Sequence, residues 1–135
     1  MYKRQVYCTG YKITFPFFDE DFVSAKDNEI RLYRRMFHPE IGGLFFPGLV
    51  QPLGAIMPVA ERQGVLISEA LEGRYELPPR AEMEAEIDQT RAAMKKRYVA
   101  SKRHTIQVDQ EAYMRELLKE LEAGRERAAP AGVPA

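Results

Sequence analysis

Two short stretches of the sequence carry residue types that allow a ligand to come close to the backbone. In residues 8–11 (CTGY) a glycine directly follows a short β-type run, and a glycine there lets a backbone or a ligand approach. In residues 48–58 (GLVQPLGAIMP) a lone amide, Gln51, stands between an apolar run and a predicted helix start. Helix N-termini present unpaired N–H groups, and loops after buried strands bind cofactors in α/β folds. We expect Gln51 to be buried, either against a ligand or as a residue that only caps the helix or ties down the loop.

The sequence lacks the motifs of nucleotide binding, nucleophilic catalysis and metal binding. There is no GxGxxG loop, no Walker loop and no nucleophile elbow. The single cysteine, Cys8, excludes an internal disulfide and a cysteine-based zinc cluster, and its apolar strand predicts a buried, inert thiol. His38 and His104 are too few for a three-histidine metal site, and we expect structural roles for both. The sequence therefore predicts neither catalytic residues nor a metal site.

The length and the net charge of the chain exclude some classes of protein. Its 135 residues suit one domain, and its 20 basic and 20 acidic residues balance to a net charge of zero. That balance argues against a nucleic-acid binder that relies on bulk charge. No signal-peptide pattern follows Lys3 and Arg4, so we expect a cytoplasmic protein.

Residues 41–60 are uncharged and long enough to cross a bilayer, but three prolines and four glycines interrupt them. We expect a buried strand, a loop and a helix start there rather than a membrane span. Alternation and apolar runs predict strands at residues 6–9, 31–37 and 44–50, the last buried on both faces.

Three amphipathic helices are predicted from the apolar periodicity and the capping residues. The first covers residues 56–71 and tolerates Pro58 in its first turn. The second covers residues 80–98, with early acidic and late basic side chains that complement the helix dipole. The third follows the N-cap Asp109 to about Glu122. The inward stripes of the second and third helices are Met83, Ile87, Met94 and Tyr98, and Tyr113, Leu117, Leu118 and Leu121.

Both candidate stretches, in this order, resemble the C-terminal part of the flavin-containing monooxygenases. Residues 8–11 look like the Ala-Thr-Gly-Tyr motif of that family, with Cys8 in place of alanine. Residues 51–58 look like its Gln-Pro-Leu-Gly-Ala-Ile-Met-Pro segment, which continues into Glu61-x-Gln63-Gly64. Residues 96–107 also match the animal branch of the family, so the resemblance covers roughly residues 6 to 122.

The resemblance implies an α/β fold: the C-terminal piece of a flavoprotein with two nested dinucleotide-binding domains, here a few short strands followed by about three helices. Residues 6–79 would end the NADPH domain and return into the FAD domain, residues 80–123 would form C-terminal helices, and residues 124–135 a disordered tail. Residues 2–5 (YKRQ) are the translation of TAT-AAG-AGA-CAG, the end of a widely used sequencing-library transposon. We therefore expect residues 1–5 to be an artefact.

The resemblance also implies a function and a cofactor site. The enzyme would use FAD, NADPH and O2 to oxygenate an amine nitrogen or a sulfide sulfur, through a flavin hydroperoxide. Gln51 would hydrogen-bond the isoalloxazine ring, and Gly54 would let the backbone approach it. Thr9 and Gly10 would lie where the NADPH domain closes. The helix that begins near Ile56 would aim its dipole at the pyrimidine edge of the ring.

The principal binding motifs for both cofactors lie upstream in that family and are missing from this sequence. We therefore expect a fragment that is inactive alone and exposes apolar surface. Its partners would be the missing N-terminal part of the same enzyme and a small-molecule amine or sulfide, with no nucleic acid and no membrane span. Two alternatives stay open: a Baeyer–Villiger monooxygenase, which shares the Thr-Gly motif, and a non-enzymatic helical interaction module. Residues 51–58 favour the amine and sulfide branch over the Baeyer–Villiger branch.

Overall fold

A computed structural model describes residues 3–7, 10–97 and 105–129 of the chain. Within these residues lie three α-helices and two very short strands, as well as a 3-10 helix at Lys26–Asn28. The elements are β1 (Gln51–Pro52), α1 (Ile56–Leu71), α2 (Arg80–Arg97), β2 (Gln107–Val108) and α3 (Gln110–Ala128). The predicted α/β class is confirmed, because helices combine with a parallel strand pair.

The parallel pair β1–β2 sets the starts of two helices side by side. Gln51 lies opposite Gln107 and Pro52 opposite Val108. The Gln51 N–H donates to the Ile106 carbonyl at 2.7 Å, and the Leu53 N–H donates to the Val108 carbonyl at 3.3 Å. Because β1 leads into α1 and β2 leads into α3, this pairing places the N-terminal turns of both helices at one end of the molecule.

The main core forms where α1 packs on α3. Apolar side chains recur at helical spacing on both helices, and they are fully or almost fully buried. They include Val59 and Leu66 of α1 and Tyr113, Leu117 and Leu121 of α3. Met83 and Ile87 of α2 join the same cluster, as the sequence predicts, whereas Leu118 is 41% exposed instead of inward. Met94 of α2 is half-buried, and Tyr98 lies outside the described residues.

The predicted helix at residues 56–71 is confirmed at both ends, but α3 continues past Glu122 to Ala128. Residues 124–128 therefore belong to a helix and not to a disordered tail, while residues 130–135 lie outside the described residues. Two contacts explain the extension. Gly124 packs against the ring of Tyr75, and the Arg125 Nε donates to Glu69 of α1 at 2.6 Å.

The strands predicted at residues 31–37 and 44–50 are wrong, because the chain turns back on itself in both places. Arg34 and Arg35 have positive φ values of 45° and 56°, and isolated bridges join Phe37 to Tyr33 and to Phe45. The alternating pattern thus comes from a tight reversal that buries Leu32, Tyr33, Met36 and Phe37. In residues 44–50 a turn at Pro47 breaks the apolar run, which fits the missing N–H of proline. Residues 6 and 7 are irregular and exposed, and Cys8 and Thr9 lie outside the described residues.

Residues 10–50, here called the looped segment, have no α-helix and only isolated bridges. A second apolar cluster forms inside the segment around Val23, Leu32 and Phe46. His38 caps one of its turns, because the Nδ1 atom accepts from the Glu40 N–H at 3.2 Å and the Ile41 N–H at 3.0 Å. The structural role predicted for His38 is confirmed, and burial lowers the pKa of its imidazole.

Candidate functional site

Residues 51–58, here called the Gln-Pro segment, run from β1 into the first turn of α1. Most of the segment faces outward: Gln51, Gly54, Ala55 and Pro58 are exposed, and Leu53 and Met57 are 66% and 74% exposed. The backbone bonds to Ile106 and Val108 hold the inner side. The outer side therefore presents one amide and two large apolar side chains together.

The N-terminus of α1 lacks the capping side chain that α3 has. The N-cap of α1 is Ala55, which makes no side-chain bond to the helix, and its first turn holds no acidic residue. By contrast, Asp109 caps α3, and its carboxylate accepts from the Ala112 N–H at 3.2 Å. An uncapped N-terminus leaves N–H groups and positive partial charge available to an acceptor from outside the chain.

Gly54 is required where the Gln-Pro segment meets α3. Its φ is +150°, which L side chains rarely adopt, and the flexible end of the Gln110 side chain would have to move to admit a Cβ there. Gln110 is the first residue of α3. The close approach that this glycine permits within the chain is therefore to the start of α3, and its approach to a flavin ring stays a prediction.

Two amides near this segment are buried, Gln63 of α1 and Gln107 of β2, whereas Gln51 itself is exposed. Gln51 is thus not buried within this chain, and its burial against a flavin stays a prediction. Gln63 is 0% exposed and falls on the apolar stripe of α1, one turn after Val59. The sequence carried a signal for it, since an amide at a core position of a helix must find partners.

Both polar atoms of the Gln63 amide are hydrogen-bonded. Its Oε1 accepts from the Gly48 N–H at 2.8 Å, and its Nε2 donates to the Tyr113 hydroxyl at 2.7 Å. The Tyr113 hydroxyl in turn donates to the Arg34 carbonyl at 2.7 Å. Burial raises the pKa of Tyr113 above its ordinary value, so this phenol stays protonated and remains a donor.

Gln51 and Gly54 lie in one loop, but Gly10 lies in a separate stretch and Thr9 lies outside the described residues. Gly10 is exposed at the start of the looped segment. Asn28 holds the next residues: its Oδ1 accepts from the Ile13 N–H at 2.6 Å, and its Nδ2 donates to the Tyr11 carbonyl at 3.1 Å. Roles for Thr9 and Gly10 at a cofactor stay predictions.

The residues of the Gln-Pro segment fit a flavin ring. Such a ring has apolar faces, which Leu53 and Met57 could contact, and a polar edge, which Gln51 and the uncapped start of α1 could bind. Within residues 3–7, 10–97 and 105–129 no cluster of three acidic, histidine or cysteine side chains could hold a metal ion. None of the helices in that part of the chain is both long and apolar enough to cross a membrane.

Comparisons with known proteins identify the family of this chain. A family model described as FMO-like, flavin-binding monooxygenase-like, matches residues 3–127. The match includes Lys3, Arg4 and Gln5, which the sequence assigned to an artefactual terminus. Flavin-containing monooxygenase 5 of Rattus norvegicus is 47% identical over 106 residues, which are 77% of this chain and 20% of the relative.

Two further relatives extend the match to more of the chain. Flavin-containing monooxygenase 5 of Homo sapiens is 45% identical over 114 residues, which are 83% of this chain and 21% of the relative. Dimethylaniline monooxygenase (N-oxide-forming) 2 of Oryctolagus cuniculus is 35% identical over 123 residues, 87% of this chain and 22% of the relative. The chain thus spans about a fifth of the length of the curated relatives it matches.

Proposed function

This chain belongs to the flavin-binding monooxygenase-like family, and from that premise we propose that it is the C-terminal part of a monooxygenase that uses FAD, NADPH and O2. The observation that carries the proposal is the family match over residues 3–127. The exposed Gln-Pro segment and the uncapped start of α1 support it, because both fit the ring of a flavin. The partner of this chain is then the remaining, N-terminal part of the same enzyme.

Each feature of the Gln-Pro segment has a role in this proposal. Gln51 hydrogen-bonds the polar edge of the ring, and Leu53 and Met57 cover part of its apolar surface. The start of α1 stabilises negative charge at the pyrimidine edge. A bound flavin would supply the redox chemistry, in which the two electrons of NADPH and one O2 would give an oxygenated substrate and one water. The residues of this chain bind and orient the ring and exclude water from it.

We assign amine nitrogen or sulfide sulfur as the atom that is oxygenated. The name of one relative, dimethylaniline monooxygenase (N-oxide-forming) 2, supports an amine. The relatives at 45% and 47% identity have names that state no substrate, so a ketone substrate is the rival to be tested. A fragment of this length is proposed to be inactive without the rest of the enzyme.

The test is made on the full-length protein encoded by the intact gene. We expect it to hold FAD, to oxidise NADPH, and to convert a tertiary amine to its N-oxide and a sulfide to its sulfoxide. The 135-residue chain alone is the matched control and should not oxidise NADPH. Ester formation from a ketone without N-oxide formation would instead assign the Baeyer–Villiger reaction. If the full-length protein held no flavin, the result would favour the non-enzymatic helical interaction module.

The role of Gln51 has its own variant. Gln51→Leu removes the amide but keeps a similar volume, and we expect FAD binding to weaken by about 1–3 kcal/mol because a polar ring atom loses its partner. Gln89→Leu is the matched control, since Gln89 is exposed on α2. The measurements are the FAD dissociation constant and the H2O2 released per NADPH in the full-length enzyme. Normal FAD occupancy with unchanged peroxide release would assign Gln51 to the loop alone.

A further inference from the structure

The backbone just before the Gln-Pro segment is hydrogen-bonded to the buried side chain of Gln63. Gly48 lies three residues before Gln51, and its N–H donates to the Gln63 Oε1 at 2.8 Å. The next two tethers are the N–H groups of Gln51 and Leu53, which donate to the Ile106 and Val108 carbonyls. All three tethers bind the inner side of the chain, and the outer side of the segment stays free.

Gln63 also connects this backbone to two other parts of the molecule. Its Nε2 donates to the hydroxyl of Tyr113 in the first turns of α3, and that hydroxyl donates to the carbonyl of Arg34 in the looped segment. One buried amide therefore fixes the relative positions of α1, α3 and the approach to β1. The start of α3 touches the Gln-Pro segment a second time, where Gln110 reaches Gly54.

Gln63 is a buried amide whose desolvation is offset by its two hydrogen bonds. An apolar side chain of the same length would fill the space but leave the Gly48 N–H and the Tyr113 hydroxyl without this partner. What an apolar side chain cannot do is hold the Gly48 N–H in one direction, because hydrogen bonds are directional and apolar contacts are not. The amide thus gives the backbone next to the candidate site a defined position.

We propose that Gln63 is a positioning residue for the flavin: through Gly48 and Tyr113 it sets where Gln51 and the start of α1 stand relative to the ring. This inference rests on the proposed function, because it assigns the ring to the Gln-Pro segment. Gln63 itself is fully buried and acts through the backbone, without touching the cofactor.

The test compares three variants of the full-length protein. Gln63→Met keeps an unbranched side chain of similar length and removes both hydrogen bonds. Tyr113→Phe removes only the hydroxyl and leaves the bond between Gln63 and Gly48. Leu66→Ala is the stability control, because Leu66 is also 0% exposed on α1 but has no bond to the Gln-Pro segment. It creates a cavity and is expected to lower the thermal midpoint at least as far as Gln63→Met does.

Two readouts separate positioning from stability, and neither needs turnover. The first is the FAD dissociation constant, measured by fluorescence titration of the apoprotein. We expect Gln63→Met to raise it by about tenfold and Tyr113→Phe by about threefold, with Leu66→Ala within twofold of wild type. The second is amide hydrogen exchange of residues 48–54, which should accelerate in Gln63→Met and not in Leu66→Ala.

The outcomes distinguish this inference from the function on which it rests. If wild type binds FAD, but Leu66→Ala weakens binding as much as Gln63→Met, then stability explains the effect and the positioning role is overturned while the function stands. If Gln63→Met does not fold, an unchanged FAD dissociation constant in Tyr113→Phe overturns the inference as well. A wild-type protein that binds no FAD overturns the proposed function, and this inference with it.

Discussion

The paired helices α1 and α3 and the looped segment are ordered in different ways. Each helix has its own backbone hydrogen bonds and an apolar stripe, and the two stripes pack together around Leu66 and Leu117, both 0% exposed. The looped segment is held through ring contacts and through bonds to other elements, such as the Thr105 hydroxyl that donates to the Asn28 carbonyl at 2.6 Å. The helical pair thus has regular backbone hydrogen bonds of its own, whereas the looped segment combines an internal apolar cluster with bonds to its neighbours.

The helix α2 is held both by apolar packing and by ion pairs. Met83 and Ile87 join the main core, but four ion pairs bind α2 to the looped segment. These pairs are Glu29–Arg91, Arg31–Asp88, Arg34–Glu86 and Glu40–Arg80. Charged partners on an irregular backbone are positioned only when that backbone is already in place. The looped segment and α2 therefore depend on each other, and the looped segment also packs on the helical pair, because Tyr33, Met36 and Phe37 belong to the main core.

The largest effect should come from the core of the helical pair. Leu117→Ala removes a fully buried side chain of α3, and we expect it to lower the free energy of unfolding by about 2–5 kcal/mol through the cavity it leaves. Leu118→Ala is the control, because its side chain is 41% exposed, and it should cost well below about 1 kcal/mol. Urea unfolding followed by far-UV circular dichroism measures both. Equal losses would show that the pairing of α1 with α3 is not the main source of order.

A glycine on α3 offers the next test. Gly124→Ala would place a Cβ against the ring of Tyr75, and we expect a loss of about 1–3 kcal/mol from overpacking. Gly64→Ala on α1 is the matched change, because open space surrounds Gly64. There the better helix propensity of alanine should raise the stability by about 0.5–1 kcal/mol. Thermal midpoints that move in the same direction for both variants would contradict the packing around Gly124.

Acid should weaken the contact between the two regions at Glu120. This carboxylate accepts from the Tyr75 hydroxyl at 2.9 Å and from the guanidinium groups of Arg127 at 2.5 Å and Arg34 at 3.3 Å. Burial acts to raise the pKa of Glu120, but hydrogen bonds from Tyr33, Arg127 and Tyr75 outweigh it and hold the pKa below 4.5, its ordinary value. Its stabilisation is therefore present above about pH 4.5 and is lost as the pH falls through the lower folded value.

Glu120→Gln checks this assignment. It should cost about 1–2 kcal/mol at pH 7, because two arginines lose their charged partner, and the loss of stability in acid should become smaller. Urea midpoints measured from pH 7 to pH 3 report both effects. An acid limb that is as steep in the variant as in the unchanged chain would remove Glu120 from the link between the two regions.

The smallest effect should come from the ion pairs of α2. Exposed pairs such as Arg31–Asp88 and Glu40–Arg80 contribute about 0–1 kcal/mol each, and 1 M salt shortens the screening length to about 3 Å. We expect 1 M NaCl to accelerate amide exchange in α2 and the looped segment more than in α1 and α3. Uniform exchange rates across the three helices would mean that apolar contacts alone hold α2.

The helices were predictable from sequence because their signals are local. The stripe of α1 and the N-cap Asp109 of α3 identify their elements without reference to the rest of the chain. The end of α3 was not predictable, since Arg125 and Gly124 find their partners on α1 and at Tyr75. When distant residues determine where a helix ends, the local sequence contains no signal for that end.

The two strands and the contacts of the buried amide could not be predicted from the sequence. β1 and β2 have two residues each, which is too short for any periodicity, and the alternation at residues 31–37 came from a reversal instead. At the candidate site the loop itself was predictable, because Gln51 and Gly54 stand in a recognisable segment. The partners of the buried Gln63 were not, since Tyr113 and the Gly48 backbone are distant from it in sequence.

The short parallel pair also decides when this end of the molecule can form. Gln51 is held by the Ile106 carbonyl, so its partner lies on the far side of α1 and α2 in the chain. Contacts between such distant residues require a large loop to close first, and they form late in folding. On the ribosome, the residues around Gln51 leave the exit tunnel well before their partner is synthesised. The Gln-Pro segment can therefore reach its final shape only after β2 has emerged from the tunnel.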